Sequence, residues 1–385
     1  MNCKLLFVLV LLSLLLAGFN LPGDYPQVVN LTPAAVEQNL DGELIPINPY
    51  SYSSLGESAA AYSTRTGQYL VLWEGDTEGS IKYKYIDGTT GETLGPSHQY
   101  LLEEDGYNPD VVYDKLYDRF LVVWDELNCL GIPAKCYYVI KGRLMRGRYQ
   151  DGNVYAGDAL TIASEHSTST AGYDLREPAA AYNETDHQYV IVYRYGRESA
   201  GAYYSIYGQM LGAGEKQPQE LTDPFSGFEI RTYPSEVEVV KPDVTWSQDG
   251  GTFLAVWQKY HETNTDEIVG RYLYDYYRSG FGQVYGDGAT KLAPYNEGPD
   301  PLTYDCSLPS IAYDRSNKNY VVVFEYKGGT DFASPFSVYA QRLKGAYDPT
   351  SKRINYAFSV EAADSQAEYQ VRPEIVYSGL EADMY

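Results

Sequence analysis

Three observations predict an all-β fold, a β-propeller of four-stranded blades with five complete repeats and a split or truncated sixth. They are a recurring apolar block, a second block at constant distance before it, and strand periodicity with no helical run. The apolar block reads QYLVLW (Gln68 to Trp73), DRFLVVW (Asp118 to Trp124), HQYVIVY (His187 to Tyr193), GTFLAVW (Gly251 to Trp257) and KNYVVVF (Lys318 to Phe324). Ahead of these stand ESAAAY, NPDVVY, EPAAAY, KPDVTW and LPSIAY, closing at Tyr62, Tyr113, Tyr182, Trp246 and Tyr313. In every complete copy the closing aromatic lies seven residues before the aromatic of the apolar block. The next residue is Ser63, Asp114, Asn183, Ser247 or Asp314, types whose side chains bond the backbone two residues on and fix a turn. Each pair of blocks is a hairpin.

A third strand follows each hairpin: SIKYKYI, YVIKGRL, SIYGQML, EIVGRYL and SVYAQRL. A looser fourth alternates near Leu160–Ile162, Leu292 and Phe358–Val360. In YLVLW, Tyr69, Val71 and Trp73 share one face, Leu70 and Leu72 the other. Both faces are apolar, so both must be covered, which neighbouring blades do and one layer of a sandwich does not. The second block returns as RPEIVY, ending at Tyr377, and Tyr385 falls near the place of the apolar block's aromatic. From that we expect an incomplete reading frame, whose continuation adds a φ-V-V-W strand and closes at least six blades.

Three segments follow from these readings: a signal peptide over 1–18, an N-terminal lead-in over 19–43 that contributes to the closing blade, and the propeller over 44–385. Lys4 and the apolar run Leu5 to Ala17 are too short to span a bilayer, which needs about 20 residues, but fit a secretory leader. The expected protein is secreted or extracellular, with no membrane span. Its net charge of −23 repels nucleic acid and anionic lipid. Cys129 and Cys136 bracket LGIPAK and are read as a local disulfide of an oxidising compartment, while Cys306 has no evident partner. No metal site is expected, because no CxxC occurs and the four His are scattered. Asp249-Gly250-Gly251 and Asp287-Gly288 resemble fragments of Ca²⁺ loops, a weak signal for Ca²⁺ better read as turns. Asn30 and Asn183 begin N-x-S/T sequons and are the candidate glycosylation sites.

The pattern P-x-φ-A-Y-(D/N)…(Y/F)-L-V-V-W-(E/D)…I-Y-G-Q-R-L is similar to a repeat of secreted and surface β-propeller proteins of bacteria and archaea. The resemblance covers roughly Leu44 to Tyr385 and implies architecture and export. It implies no activity, because propellers are scaffolds with many uses. In the first copy Ser58 stands where the others carry Pro.

For chemistry, the sequence lacks G-x-S-x-G, H-E-x-x-H, a P-loop and G-x-G-x-x-G. The best-placed acids are Asp110, Asp243 and Glu374, one residue after the block's Pro, where an innermost strand points them to a central channel. Ala59, Ala179 and Ser310 hold the same place elsewhere, so a polar strand start facing water accounts for these acids without catalysis. The 41 Tyr could stack on sugar rings, but alternating Tyr on paired strands packs between blades equally well. The expected function is therefore a non-catalytic binding or assembly scaffold at the cell surface, with surface glycans or other surface proteins as partners and no cofactor. One alternative is a polysaccharide-degrading glycoside hydrolase with Asp110, Asp243 and Glu374 as its acids. A second is a structural subunit of a filament or surface layer.

Overall fold

The computed structural model describes residues 28–30 and 373–375 and, apart from parts of the loops, residues 57–364. Among them are strands and turns and no helix. After β1 (Val28–Asn30), the first sheet is β2 (Ser58–Ser63), β3 (Gln68–Glu74) and β4 (Ile81–Asp87). Its fourth place is shared by β5 (Thr93–Leu94) and β6 (Tyr100–Glu103), both paired to β4. The second sheet is β7 (Gly106–Asp114), β8 (Arg119–Leu130), β9 (Lys135–Arg146) and β10 (Leu160–Ala163). The third is β11 (Asp174–Asn183), β12 (Gln188–Gly196) and β13 (Tyr204–Gly212), with β14 (Gln219–Glu220) and β15 (Phe228–Thr232) both on β13. The fourth is β16 (Val237–Ser247), β17 (Thr252–His261), β18 (Glu267–Tyr274) and β19 (Thr290–Ala293). The fifth is β20 (Tyr304–Asp314), β21 (Asn319–Gly328), β22 (Ser337–Lys344) and β23 (Tyr356–Asp364). These are five blade sheets of a β-propeller. The sheets fall into two compact units, Ile45–Glu238 with Tyr274–Gln283, and Met1–Leu44 with Val239–Leu273 and Val284–Tyr385.

The seven-residue spacing becomes a cross-strand pair. Tyr62 faces Tyr69, Tyr113 faces Phe120, Tyr182 faces Tyr189 and Tyr313 faces Tyr320, with ring centroids 4.7 to 5.4 Å apart. The turn residue after each closing aromatic acts as its type requires. Asp114 Oδ1 accepts from the N–H groups of Leu116 and Tyr117, Asn183 Oδ1 from Thr185 and Asp186, and Asp314 Oδ1 from Ser316 and Asn317. Ser63 and Ser247 do the same through Oγ to Thr66 and Gly250. The last turn residue is left-handed in every copy, at Gly67, Asp118, His187, Gly251 and Lys318.

The second strand is buried on both faces, and its two faces serve different neighbours. Phe120, Val122 and Trp124 pack with Leu70, Leu72, Tyr83 and Tyr85 of the first sheet. Leu121 and Val123, on the other face of β8, pack with Leu175, Tyr189, Ile191 and Tyr193 of the third. Within the other unit, Tyr320, Val322 and Phe324 meet Leu254, Val256 and Tyr272 of the fourth sheet. Val321 and Val323 turn the other way and pack with Ile375. Gly106 shows how close this packing is: a Cβ there would stand 2.8 Å from the Trp124 ring and 2.6 Å from Ile81.

Of the sixth copy, only Pro373–Ile375 lies within the described residues, and it forms no strand. The leader over 1–18 and the residues after Ile375 lie outside them. Within the lead-in, β1 pairs in parallel with β23, joining the edge of the fifth sheet. The Cys129–Cys136 disulfide is formed between directly paired residues of β8 and β9, and Cys306 is a buried free thiol.

Trp124 is fully buried, so Trp124→Ala should cost about 3–5 kcal/mol, the usual range for deleting a buried aromatic. Denaturant melts of wild type and variant check it. A loss below about 1 kcal/mol would contradict burial on both faces.

Candidate functional site

Asp110 and Asp243 each sit just after a distortion in the first strand of their sheet. Asn108, Glu177, Lys241 and Leu308, each directly before the Pro, have left-handed φ of 49 to 56°. In the second, third and fifth sheets the ladder skips there, between Tyr107 and Asp110, Arg176 and Ala179, and Ser307 and Ser310. Proline offers no N–H to the ladder, so a bulge is where a strand accommodates it. The first sheet has Ser58 at this place and pairs without a skip. A polar residue at the end of the preceding sheet's second strand caps the strained residue: Glu74 Oε1 accepts the Asn108 N–H at 2.7 Å, and Gln258 Oε1 that of Leu308 at 3.3 Å.

The residue after the Pro then reaches the main chain of the next copy. Asp110 Oδ2 accepts from Ala180 N–H at 2.7 Å. Asp243 Oδ2 accepts from Ile311 N–H at 2.8 Å, and its Oδ1 from Val244 N–H at 2.7 Å. Ser310 Oγ accepts from Ile375 N–H at 3.3 Å. The same register position links consecutive copies three times over.

Two of the three candidate acids come together. In the unit of the fourth and fifth sheets, Asp243 feels the charge of Glu374, and Ser310 acts on it in the opposite sense. Burial pushes the Asp243 carboxyl up to about 6, against the pull of the Ile311 and Val244 N–H groups, with Glu374 raising it further and Ser310 lowering it. Asp243 and Glu374 are each half-buried as whole residues. Asp110 lies in the other unit, half-buried and latched to Ala180.

A fourth carboxyl escaped the sequence reading. Asp125, at the end of β8's apolar run, is fully buried and accepts from Asn108 Nδ2 at 2.8 Å and Arg176 Nε at 3.2 Å. Arg176 lies over the Tyr138 ring, 4.1 Å from its centroid. Burial pushes Asp125 up to about 7, against the pull of Asn108 and Arg176. Its signal was present in the sequence: Glu74, Asp125, Arg194, Gln258 and Glu325 each follow the apolar run, a polar residue at one register position in all five copies.

The remaining candidates resolve as follows. Tyr83, Tyr85, Tyr189, Tyr193 and Tyr320 are buried between strands and sheets, whereas Tyr173 and Tyr195 are half-buried and stacked 5.0 Å apart. Asn183 is fully buried with its amide held in the turn, so a glycan on it does not fit the folded chain. The Asn30 side chain and Asp287 lie outside the described residues. Asp249 accepts from the Tyr313 hydroxyl and pairs with Lys318, the work of a turn residue. Among the described residues no three His, Cys, Asp or Glu gather as a metal site, and no helix is long and apolar enough to cross a membrane.

No family model matches the chain, and no curated protein matches it. Solved structures do. An N-acetylgalactosamine deacetylase from F. plautii, in complex with blood group B trisaccharide, is 12% identical with a TM-score of 0.41, over 72% of this chain and 82% of that one. A thermostable family-43 glycoside hydrolase is 10% identical with a TM-score of 0.41, over 83% and 96%. An endo-arabinase from Bacteroides thetaiotaomicron is 12% identical with a TM-score of 0.39, over 73% and 92%. All three are named as enzymes acting on carbohydrates. With them the expectation of a non-catalytic binding or assembly scaffold is corrected, and the hydrolase alternative is taken up below on the chain's own residues.

Asp243 titrates near 6 when folded and near 3.9 when unfolded, so between those values the folded chain holds the extra proton. Its contribution to stability is present below about pH 4 and lost as pH rises through about 6. Wild type should therefore melt at a lower temperature at pH 7 than at about pH 4.5. Asp243→Asn should shrink that difference, and calorimetry at the two pH values checks it.

Proposed function

We propose that this chain is an exported glycoside hydrolase acting on polysaccharide, with Asp243 and Glu374 as its acid pair. The observation that carries the reading is a carboxyl raised to about 6 by burial and by the charge of a second carboxylate, Glu374. Near pH 5 to 6 a large share of Asp243 is protonated. In that form it gives its proton to the glycosidic oxygen as the bond to the anomeric carbon breaks. Water supplies hydroxide to that carbon, and the proton left over returns to the carboxylate pair. The pair is assigned without Asp110, whose carboxylate accepts the Ala180 N–H.

Export rests on Lys4 and the apolar run from Leu5 to Ala17, and on the repeat's similarity to those of secreted and surface propellers. The same leader places the Cys129–Cys136 disulfide in an oxidising compartment, where such bonds persist. The high negative charge favours neutral over acidic polysaccharides as substrates, since like charge opposes association.

Release of reducing ends from a panel of plant and microbial polysaccharides tests the reading. Wild type should cleave at least one of them, with activity falling as pH rises above about 6. Asp243→Asn and Glu374→Gln should each lose at least about 10²-fold, the lower end of what a positioned acid or base contributes. Asp110→Asn should keep most of the activity. Hydrolysis unchanged in both Asp243→Asn and Glu374→Gln would overturn the assignment.

A further inference from the structure

We propose that Asp125 and Arg176 form a proton-operated latch between the second and third sheets: the ionised carboxylate holds the guanidinium, and the protonated carboxyl lets it go. The inference stands apart from the hydrolase reading, since none of its residues belongs to the proposed acid pair.

Asp125 ends the apolar run of β8, and its side chain is 0% exposed, against 25% for that of Arg176 on β11. Its two oxygens are held differently. Oδ1 accepts from the neutral amide of Asn108 at 2.8 Å, and Oδ2 from the charged Arg176 Nε at 3.2 Å. Water is kept from the acid, and the cation paired with it among the described residues is Arg176. The proton and Arg176 therefore compete for one carboxyl.

Each element around the acid contributes a known group. From β7 comes the Asn108 amide, and the Asn108 N–H is itself held by Glu74 Oε1 of the first sheet at 2.7 Å. From β11 come Arg176 and the opposing charge of Glu177. On β9, the Tyr138 ring lies 4.1 Å from the guanidinium, and the Tyr138 N–H bonds Asp174 Oδ1 of the third sheet at 3.0 Å. On β8 itself, Glu126 is engaged elsewhere, with Lys141 at 3.6 Å and Trp124 Nε1 at 3.3 Å.

Burial raises the Asp125 carboxyl to about 7, with Asn108 and Arg176 pulling it down and Glu177 pushing it up. The folded value lies above the ordinary 3.9, so the proton stabilises the folded chain. That contribution is present below about pH 4 and lost as pH rises through about 7. The latched form thus prevails above about pH 7, where Arg176 offsets part of the cost of a buried charge. Below it the guanidinium is left with the Tyr138 ring and the charge of Glu177.

Two NMR signals of the full-length, substrate-free protein test the latch from about pH 5.5 to about 9. They are the ¹³C carboxyl carbon of Asp125, assigned through Asp125→Asn, and the ¹⁵N–¹H signal of Arg176 Nε, assigned through Arg176→Met. Gln258, an amide at the same register position in the fourth sheet, gives Asp125→Asn a precedent within the chain. Both signals should titrate with one midpoint near 7, and the Arg176 signal should cease to respond in Asp125→Asn. Arg176→Met should move the Asp125 midpoint upward by about one pH unit or more, as loss of an opposite charge at contact does. A site merely opened to water would move it downward. Asn108→Gly, which suits the left-handed φ of 49° there, should also move it upward, and Glu177→Gln downward. An Arg176 signal flat across the Asp125 transition, a carboxyl fully ionised at about pH 5.5, or a downward shift in Arg176→Met would overturn the proposal.

Discussion

The second strand of each copy buries both of its faces, and that constraint organises the rest of the molecule. A strand such as Phe120–Trp124 cannot end a layered structure, because either face left open would expose several fully apolar side chains at roughly 25 cal/mol per Å². The second sheet is therefore a middle sheet. Alternation along the strand sends its side chains to two neighbours, with Phe120, Val122 and Trp124 covering the preceding sheet and Leu121 and Val123 the following one. With the packing supplied by apolar residues in bulk, the strand ends are left for polar contacts that set register between copies.

Those contacts repeat with the copies but use different chemistry in each. At the residue after the Pro, Asp110, Asp243 and Ser310 all bond an N–H of the next copy, and Ala179 has no side chain that could. At the residue after the apolar run, Glu74 and Gln258 cap a strained N–H, whereas Asp125 takes a guanidinium and Arg194 pairs with Glu238. In the second, third and fifth sheets a bulge at the Pro underlies the contacts made to main-chain N–H groups. It lifts one N–H out of the ladder and leaves it to be satisfied from the neighbouring copy. A repeat protein can vary such positions singly, because each contact concerns one pair of copies alone.

That freedom is what lets chemistry arise on a repetitive frame. Asp243 keeps the linking role common to its position, yet it differs from Asp110 in its surroundings. Burial and the charge of Glu374 raise its carboxyl to about 6. A linking carboxylate becomes a candidate acid through burial and one neighbouring charge, with no change in its own strand.

The sequence by itself determined the all-β class, the hairpin at the heart of each copy, its turn chemistry and the two-sided burial of its second strand. All of these are local or periodic. Seven residues between two aromatics and an Asx or Ser at the turn fix a register without knowledge of anything distant. The Cys129–Cys136 bond was legible for the same reason, being closed within one hairpin. Tertiary structure decided what depends on which copy lies against which. It paired β1 with β23, and it broke the fourth strand into two pieces in the first and third sheets. It also set the surroundings of the acids, putting Asp243 on the Ile311 N–H and under the charge of Glu374, and Asp110 on the Ala180 N–H. No spacing along the chain encodes those meetings, because each joins residues more than sixty positions apart across packed sheets. The buried Asp125 was hidden for a related reason: a polar residue after an apolar run reads as the strand's wet end until the next sheet covers it with Arg176.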